Sequence, residues 1–325
     1  MCAMSGNLRS RVTRIRFHSH SPLIRDSSRI GELNPNVAKN REVMDSKARA
    51  FAPANLSCIF KICPGSSPED ASSLGVGITL DSGAVATVRS ATRFRISVNG
   101  KKRDFPTVET VVRNLTTHPV DVSINAALPY GAGFGMSGAS ALATALALDA
   151  ALGLNRSREE LAMAAHVAEV ENGTGLGDVC GQIVGGFRIR RKMGHPLESE
   201  PLDIHRDHLY FRIFGTLETK TIIADSGKIR HINEAGDRAL RKISKCEPME
   251  LPDLIKISFQ FARESGLLVS DRVSGSIEEI QKAGGNASMV MLGESVFADT
   301  PFPGCQTGTI GKTGATVLDY SDKQA

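Results

Sequence analysis

The sequence has no tryptophan, and aromatic residues make up only 5% of its 325 positions. It also has no apolar run of the roughly 18 residues that a membrane-spanning helix needs, because charges or glycines interrupt every apolar stretch. Its six cysteines are scattered, without the CxxC pairs or nearby histidines of a zinc site. We therefore expect neither a membrane protein nor a zinc protein, and we interpret the cysteines as free thiols in a reducing compartment, the cytoplasm.

Positive charge is concentrated at the start of the chain. The net charge is only +4, and residues 1–50 hold ten Lys and Arg against four Asp and Glu. The remainder is therefore slightly acidic, which argues against nucleic-acid binding by the body of the protein. Residues 1–45 lack apolar periodicity, and we predict a disordered extension there. An organelle transit peptide would have a similar composition, and Met44 offers an alternative start.

From residue 46 the sequence first alternates in the manner of β-strands and then becomes helical. Segments such as ARAFAPANLSCIF and GVGITLDSGAVATVRSA have the two-residue period of strands. Apolar spacing predicts helices over 137–152 and 158–171, and the second of these has the spacing of a capping box at its start. Strands followed by helices return after residue 200. We predict an α+β protein of two lobes, 46–198 and 199–325.

A glycine-rich loop stands directly before the first predicted helix. Gly131, Gly133 and Gly135 lack the side chains that would keep backbone N–H groups away from a ligand, and the positive end of the helix would point at whatever the loop encloses. This arrangement suits a phosphate chain, with Ser137 within reach of a phosphate-bound Mg²⁺. A tight turn that packs a buried helix would leave the same pattern. The loop departs from the dinucleotide-binding G-x-G-x-x-G pattern, and the later segment QTGTIGKTGA departs from the P-loop pattern.

Two acids and a histidine follow the loop. His166 and Glu169 are three residues apart on a predicted helix, so they share a face of it. Three glycines then form a turn that would return Asp178 to that face. Two carboxylates beside a phosphate loop are what magnesium-dependent phosphoryl transfer needs, one for the metal and one for the attacking hydroxyl. Each residue alone would also fit an ordinary position, as an interior histidine or a solvated acid.

Taken together, these segments resemble the GHMP small-molecule kinases. Ser137 and Glu169 stand where that family holds Mg²⁺, and Asp178 stands where it keeps its catalytic acid. Met136 replaces the usual first serine of the loop, and the segment GGNASMVMLGESVFA resembles the third, C-terminal motif. The resemblance implies a loop that binds ATP through Pro129, Gly131, Gly133, Phe134, Gly135, Met136, Ser137, Gly138 and Ala139.

The resemblance extends to the pantoate kinases of archaea, through the run GFGMSGASALATALAL, the spacing of the histidine and the two acids, and Arg190 after VGGF. It implies an N-terminal lobe similar to domain 2 of ribosomal protein S5 and a ferredoxin-like C-terminal lobe. It also implies ATP and pantoate as substrates and Mg²⁺ as the cofactor. Asp178 would align the pantoate hydroxyl. Arg190 would bind the substrate carboxylate or the γ-phosphate, His166 would bind the substrate or support Glu169, and Ser57 is a further candidate for the substrate pocket.

Three other hypotheses stay open at this point. Another GHMP kinase, acting on shikimate, homoserine or a mevalonate-type substrate, would keep the serine and both acids. A ligand sensor with the same fold would have no need of the acid at Asp178. A nucleic-acid binder would have only the basic first segment in its favour. The family resemblance also suggests a homodimer.

Overall fold

A computed structural model describes residues 46–217 and 226–319, so the extension predicted at 1–45 lies outside the described residues. The described strands are β1 (Lys47–Cys63), β2 (Ser72–Ser90), β3 (Arg95–Val98), β4 (Lys101–Lys102), β5 (Val120–Ala126), β6 (Phe187–Arg190), β7 (Glu200–Pro201), β8 (His208–Gly215), β9 (Ala287–Met289), β10 (Glu294–Ala298), β11 (Gln306–Thr309) and β12 (Thr316–Leu318). The described helices are α1 (Pro106–Leu115), α2 (Met136–Leu152), α3 (Arg158–Asn172), α4 (Asp178–Gln182), α5 (Ser226–Ile243), α6 (Leu251–Glu264) and α7 (Asp271–Lys282). The prediction of an α+β protein is confirmed.

The larger sheet has eight strands. Its order is β12-β1-β2-β5-β3-β4, with β6 paired to β2 and β7 paired to β6. The pairing of β3 with β5 is parallel, and the long strands β1 and β2 form an antiparallel hairpin. The register of this hairpin shifts between Pro53 and Ala54 and between Ser57 and Ile59. Bulges of this kind bend a strand, and the second lies beside Ser57, which faces the cavity described below.

Helix α2 is the centre of the helical layer. It packs against β1 and β2 on one side and against α1 and α3 on the other. Most of its 17 residues are buried, as expected of a helix that is apolar on every face. Its many alanines leave little side chain between the sheet and the outer helices, so the helix is held from both sides.

Helix α3 begins with the predicted capping box. The Ser157 hydroxyl accepts a hydrogen bond from the backbone N–H of Glu160, and the Glu160 carboxylate accepts one from the backbone N–H of Ser157. This reciprocal pair satisfies two backbone donors that the first helical turn would leave free. The start of the helix that carries Glu169 is thereby fixed by local sequence.

The smaller sheet has four strands in the order β11-β8-β10-β9, and helices α6 and α7 pack against it. After this sheet, β12 returns to pair with β1 in the larger one. We keep the division into lobes at residue 198 as a proposal, with the last strand returning to the first lobe.

Two predictions, that of free cysteines and that of no membrane-spanning helix, can be compared with the described residues. Cysteines of this part of the chain are free, and three of them, Cys58, Cys63 and Cys180, are buried. The interpretation of the cysteines as free thiols is thus confirmed for residues 46–217 and 226–319. Within the same residues, no helix combines the length and the apolar character that crossing a membrane requires.

Candidate active site

The glycine-rich loop ends at the first turn of α2. Gly131, Gly133 and Gly135 all have positive φ angles, of 79°, 90° and 58°, which side-chain-bearing residues rarely adopt. Gly135 is the N-cap of the helix and has no side chain to cap it. The N–H groups of the first helical turn therefore remain available to a ligand, and the helix dipole favours an anion there.

A cavity of about 470 Å³ opens in front of this loop. Its walls come from the loop, from β1 and β2, from the turn before α4, and from β6. The predicted site residues that line it are Ser57, Gly131, Gly133, Phe134, Gly135, Met136, Ser137, Asp178 and Arg190. The structure thus brings the predicted loop, one acid and the arginine to one cavity, although they are far apart in the sequence.

Glu169 lies just behind the cavity wall and is almost completely buried, with 2% of its surface exposed. Its Oε1 accepts a hydrogen bond from the Thr174 hydroxyl at 2.6 Å, whereas its Oε2 finds no hydrogen-bond partner among the described residues. Burial, and next the negative charge of Asp178, raise its pKa to about 7, although the nearby Ser137 hydroxyl and the hydrogen bond from Thr174 oppose this rise. The buried oxygen without a partner is therefore placed to receive a cation or a proton.

Asp178 is the first residue of α4 and faces the cavity. Its Oδ1 accepts a hydrogen bond from Asn55 at 2.8 Å and a longer one from Ser57 at 3.5 Å. Burial raises its pKa, and these two hydrogen bonds partly offset that effect. A partly buried carboxylate of raised pKa is suited to accept a proton from a hydroxyl group.

Gly175 separates the two acids. A Cβ atom at this position would lie 2.3 Å from Oε2 of Glu169 and 3.2 Å from Oδ2 of Asp178. Among the described residues, no cluster of three or more His, Cys, Asp or Glu side chains could hold a metal ion. Two acids are nevertheless sufficient for a magnesium ion that also binds substrate phosphates and water.

Ser137 stands in the first turn of α2 and faces the same cavity. Its hydroxyl donates a long hydrogen bond of 3.4 Å to Thr107 of α1, and it lies close enough to Glu169 to lower the pKa of that acid. Behind it, a Cβ atom at Gly138 would lie 3.2 Å from Oε2 of Glu169. Because Gly138 has no side chain, it leaves room for the buried Glu169 carboxylate. It does not itself line the cavity.

Two arginines lie on the same face of β6, because Arg188 and Arg190 are two residues apart. Both line the cavity, and the strand register places them opposite Gly77 and Gly75 of β2. Since glycines have no side chains, none covers the guanidinium groups from that position. The two guanidinium groups therefore concentrate positive charge where β6 forms the wall of the cavity.

Arg190 is held by the main chain. Its Nη1 donates to the Ser73 carbonyl at 2.9 Å, and its Nη2 donates to the His195 carbonyl at 3.2 Å. The side chain is buried, with 6% exposed, and its Nε has no hydrogen-bond partner among the described residues. A fixed guanidinium with a free donor is suited to bind an anionic group.

The prediction that His166 binds substrate is not supported by its position. The histidine is buried and does not line the cavity, and its Nε2 lies 2.9 Å from the Ala71 carbonyl. Burial lowers its pKa, which favours the neutral ring. We therefore assign His166 to support of the chain that enters β2, because its ring is used by that backbone contact.

Two further residues of the predicted loop do not face the cavity. Pro129 borders a separate, basic cavity that also contains Lys101 and Lys102. Ala139 is fully buried inside α2. Contact of either residue with the same ligand as Gly133 is not supported, because neither lines the cavity in front of the loop.

The smaller sheet closes over the loop from the other side. The Ser295 hydroxyl donates to the Ala132 carbonyl at 2.9 Å, and the backbone N–H of Met291 donates to the Ser57 carbonyl at 3.1 Å. A Cβ atom at Gly293 would lie 2.0 Å from the Ala132 oxygen. The segment predicted to be the third motif thus lies against the loop.

Sequence patterns did not identify three polar residues of the site. Asn55 donates to Asp178, Thr174 donates to Glu169, and Arg188 lines the cavity beside Arg190. One signal was available for Asn55, since an asparagine interrupts an otherwise apolar strand there. The other two become recognisable only when the acids and β6 are placed in space.

Comparisons with known proteins agree with this geometry. Residues 103–186 match the family described as GHMP kinases N terminal domain. The chain is 35% identical to the pantoate kinase of Methanocaldococcus jannaschii over 252 residues, which cover 76% of this chain and 90% of that protein. It is 34% identical to the pantoate kinase of Thermococcus kodakarensis, over 77% of this chain and 86% of that protein.

A solved structure supports the same relationship. It is described as a phosphotransferase related to the CoA biosynthesis pathway, and it superposes with a TM-score of 0.75 at 27% identity, covering 85% of this chain and 100% of the other. Relatives above 30% identity that are matched over most of their length share a family with the chain. The chain therefore belongs to the GHMP kinase superfamily and, within it, to the family of the pantoate kinases.

Proposed function

We propose that the protein transfers the γ-phosphoryl group of ATP to the terminal hydroxyl of pantoate, giving ADP and 4-phosphopantoate for coenzyme A biosynthesis. The observation that carries this proposal is the meeting of Glu169 and Asp178 beneath the glycine loop, at the N-terminus of the buried helix α2. The loop and helix supply donors for phosphates, and the two carboxylates supply a metal ligand and a base.

The residues around Glu169 fit a magnesium ion. Its buried Oε2 lacks a hydrogen-bond partner among the described residues, and the charge of Asp178 disfavours its ionised form. We propose that Ser137 and Glu169 hold Mg²⁺, since a hydroxyl and a carboxylate are oxygen ligands that this ion accepts. When bound, the ion would neutralise charge on the phosphates and stabilise the ionised form of Glu169.

Asp178 would act on the acceptor. Its Oδ1 is engaged by Asn55 and Ser57, so Oδ2 is the oxygen available to the substrate hydroxyl. As the oxygen–phosphorus bond forms and the bond to the leaving ADP breaks, the hydroxyl proton would pass to this carboxylate. Asp178 adjoins the glycine loop, because a Cβ atom at Gly135 would lie 2.9 Å from its carboxylate.

The other end of the cavity suits the rest of pantoate. This molecule carries a carboxylate at one end, a hydroxyl at the other and two methyl groups between them. Arg190 would bind the carboxylate, while Ile59, Ile62 and Val76 give the cavity an apolar wall for the methyl groups. Ser57 lines the same cavity within reach of Asp178, which keeps it as a candidate substrate ligand.

The alternatives differ in acceptor rather than in mechanism. We propose to measure ADP release from Mg·ATP with pantoate, shikimate, homoserine and mevalonate as acceptors. Turnover with pantoate alone is the expected result, because only pantoate combines the carboxylate with a branched apolar centre. Turnover with a different acceptor would reassign the substrate, and ATP binding without turnover on any acceptor would favour the ligand sensor.

The cytoplasmic location stays a prediction that rests on the scattered cysteines, and the homodimer stays a prediction that rests on family resemblance. Sedimentation of the purified chain would give its oligomeric state directly. A nucleic-acid partner is not proposed, because its support is confined to the first segment of the chain. Binding to nucleic acid by a chain that starts at Met44 would contradict that view.

A further inference from the structure

Both side-chain hydrogen bonds that Asp178 accepts from the described residues end on the same oxygen. Asn55 donates to Oδ1 from Nδ2 at 2.8 Å, whereas the hydroxyl of Ser57 is 3.5 Å from it. The amide bond is therefore the stronger constraint. The second oxygen, Oδ2, points to the side of Gly175, where even a Cβ atom would lie 3.2 Å away. Asn55 thus fixes one oxygen and leaves the other for a ligand.

The Asn55 side chain is only half satisfied. The residue is 4% exposed, and its Oδ1 has no hydrogen-bond partner among the described residues. Burying a carboxamide with a free carbonyl oxygen costs free energy that an apolar side chain would avoid. The residues next to Asn55 on β1 are apolar. We therefore attribute the presence of an asparagine here to its side-chain hydrogen bond with Asp178.

Asn55 also contacts the phosphate loop. Its backbone N–H donates to the Phe134 carbonyl at 2.9 Å. Two glycines leave the space that its carboxamide occupies, because Cβ atoms at Gly77 and Gly181 would lie 2.7 and 2.9 Å from its Oδ1. A single buried residue therefore ties the loop to the acid, through its main chain on one side and its amide on the other.

We propose that Asn55 is a positioning residue for phosphoryl transfer, which holds the Asp178 carboxylate at a fixed place relative to the phosphate loop. This inference rests on the proposed function in that Asp178 is taken as the acid that meets the acceptor hydroxyl. Its donor is neutral, so it orients the carboxylate without forming an ion pair. The acid thus keeps its negative charge available for the hydroxyl proton.

Three variants separate positioning from packing. Asn55→Ala removes the donor and the volume. Asn55→Asp keeps the shape but replaces the donor by an acceptor and places a negative charge beside Asp178. Asn286→Ala is the matched control, because the Asn286 amide also donates to a carboxylate, that of Asp299 at 2.6 Å, and neither residue lines the cavity.

The expected result is a loss in kcat with little change in the KM for ATP. A misplaced reacting group costs on the order of 10- to 100-fold in rate, so Asn55→Ala should lose about this much. Asn55→Asp should be no better than Asn55→Ala, whereas a purely structural role predicts the reverse order, because aspartate fills the same space. Asn286→Ala should lose stability and keep its kcat.

A crystal structure of Asn55→Ala provides a readout that does not depend on turnover. We expect the Asp178 carboxylate to rotate away from its place beside Gly135 or to occupy two conformations. An unmoved carboxylate, or an Asn55→Asp variant more active than Asn55→Ala, would overturn the inference. If the wild type fails to phosphorylate any acceptor, the proposed function fails, and the position of Asp178 in this variant still decides the role of Asn55.

Discussion

At the scale of single residues, the central feature is a buried acid that lacks a partner for one of its oxygens. Glu169 lies on the buried face of helix α3, and the nearby Asp178 carries a charge of the same sign. Burial favours the neutral acid, whereas magnesium binding needs the anion. The ionised form of Glu169 is therefore needed for magnesium binding but destabilises the protein when no metal is bound. Such conflicts are common at active sites.

Substitution of Glu169 by Gln tests this conflict through stability. The pKa of Glu169 is raised from 4.5 to about 7 in the folded protein, so its stabilising contribution is complete below pH 4.5 and is lost as the pH rises through 7. Glutamine cannot ionise. Without Mg·ATP, Glu169→Gln should therefore gain stability relative to wild type between pH 5 and pH 8, by about 2 to 3 kcal/mol.

Urea unfolding at the two pH values measures this difference. Glu171→Gln is the matched control for the loss of a carboxylate from this helix, because Glu171 lies two residues further along and is exposed. Addition of Mg·ATP should stabilise wild type more than Glu169→Gln. A stability difference for Glu169→Gln that is the same at pH 5 and pH 8 would refute the assignment of a buried, proton-binding acid.

At the scale of elements, helix α2 has a left-handed glycine at each end. Gly135 at its N-cap has a φ of 58°, and Gly153 at its C-cap has a φ of 61°. Their surroundings differ, since a Cβ atom would lie 2.9 Å from the Asp178 carboxylate at Gly135 and would meet nothing within 4 Å at Gly153. Both positions require a left-handed backbone, but only Gly135 adjoins Asp178.

Alanine at these two positions separates backbone strain from function. Each variant should lose about 1 kcal/mol of stability, because alanine tolerates the left-handed conformation poorly. Gly135→Ala should in addition lose kcat by about 10-fold or more, since its methyl group displaces Asp178. Thermal unfolding and ADP release measure the two effects. Equal kcat values for the two variants would mean that the N-cap contributes only conformation.

The helices also show which elements the sequence reveals. Helix α2 and helix α3 were predicted within a residue of their observed ends, because apolar composition and a capping box are local signals. Helix α1 was not predicted, since the segment PTVETVVRNL is rich in β-branched residues that also suit a strand. Packing of its buried valines against α2 and α3 decides the matter, and that contact is invisible in the sequence.

At the scale of the whole molecule, the site is assembled from both sheets. The loop before α2 is covered by the segment around Gly293, whose close approach to Ala132 leaves no room for a side chain. Residues separated by more than a hundred positions thus fix the shape of the phosphate loop. Sequence similarity identified this segment as a motif, while its contact with the loop comes from the fold.

Alanine at Gly293 should disturb ATP binding from a distance. Its methyl group would stand 2.0 Å from the Ala132 oxygen, so the loop must shift, and we expect the KM for ATP to rise about 10-fold. Gly275→Ala is the control, because its methyl group would meet nothing within 4 Å and it lies inside α7. That variant should be slightly stabilised, as helix interiors favour alanine. An unchanged KM in Gly293→Ala would contradict the role of this contact.

The arrangement of the whole molecule also explains which site residues the sequence could not reveal. The loop, Ser137, Glu169 and Asp178 lie within about fifty residues of one another, and their spacing on two helices predicted a common site. Asn55 joins them only because β1 runs beneath the loop. The substrate role predicted for His166 is not supported by its position, because the ring contacts the Ala71 carbonyl and does not line the cavity.

The most direct test of the central claim is the activity of Asp178→Asn, measured as ADP release with Mg·ATP and pantoate alongside ATP binding by calorimetry. Asparagine keeps the shape and cannot accept the hydroxyl proton in the same way, so kcat should fall by about 10²- to 10⁴-fold, with ATP affinity close to that of wild type. A variant that turns over pantoate at the wild-type rate would show that Asp178 is not the acid of phosphoryl transfer.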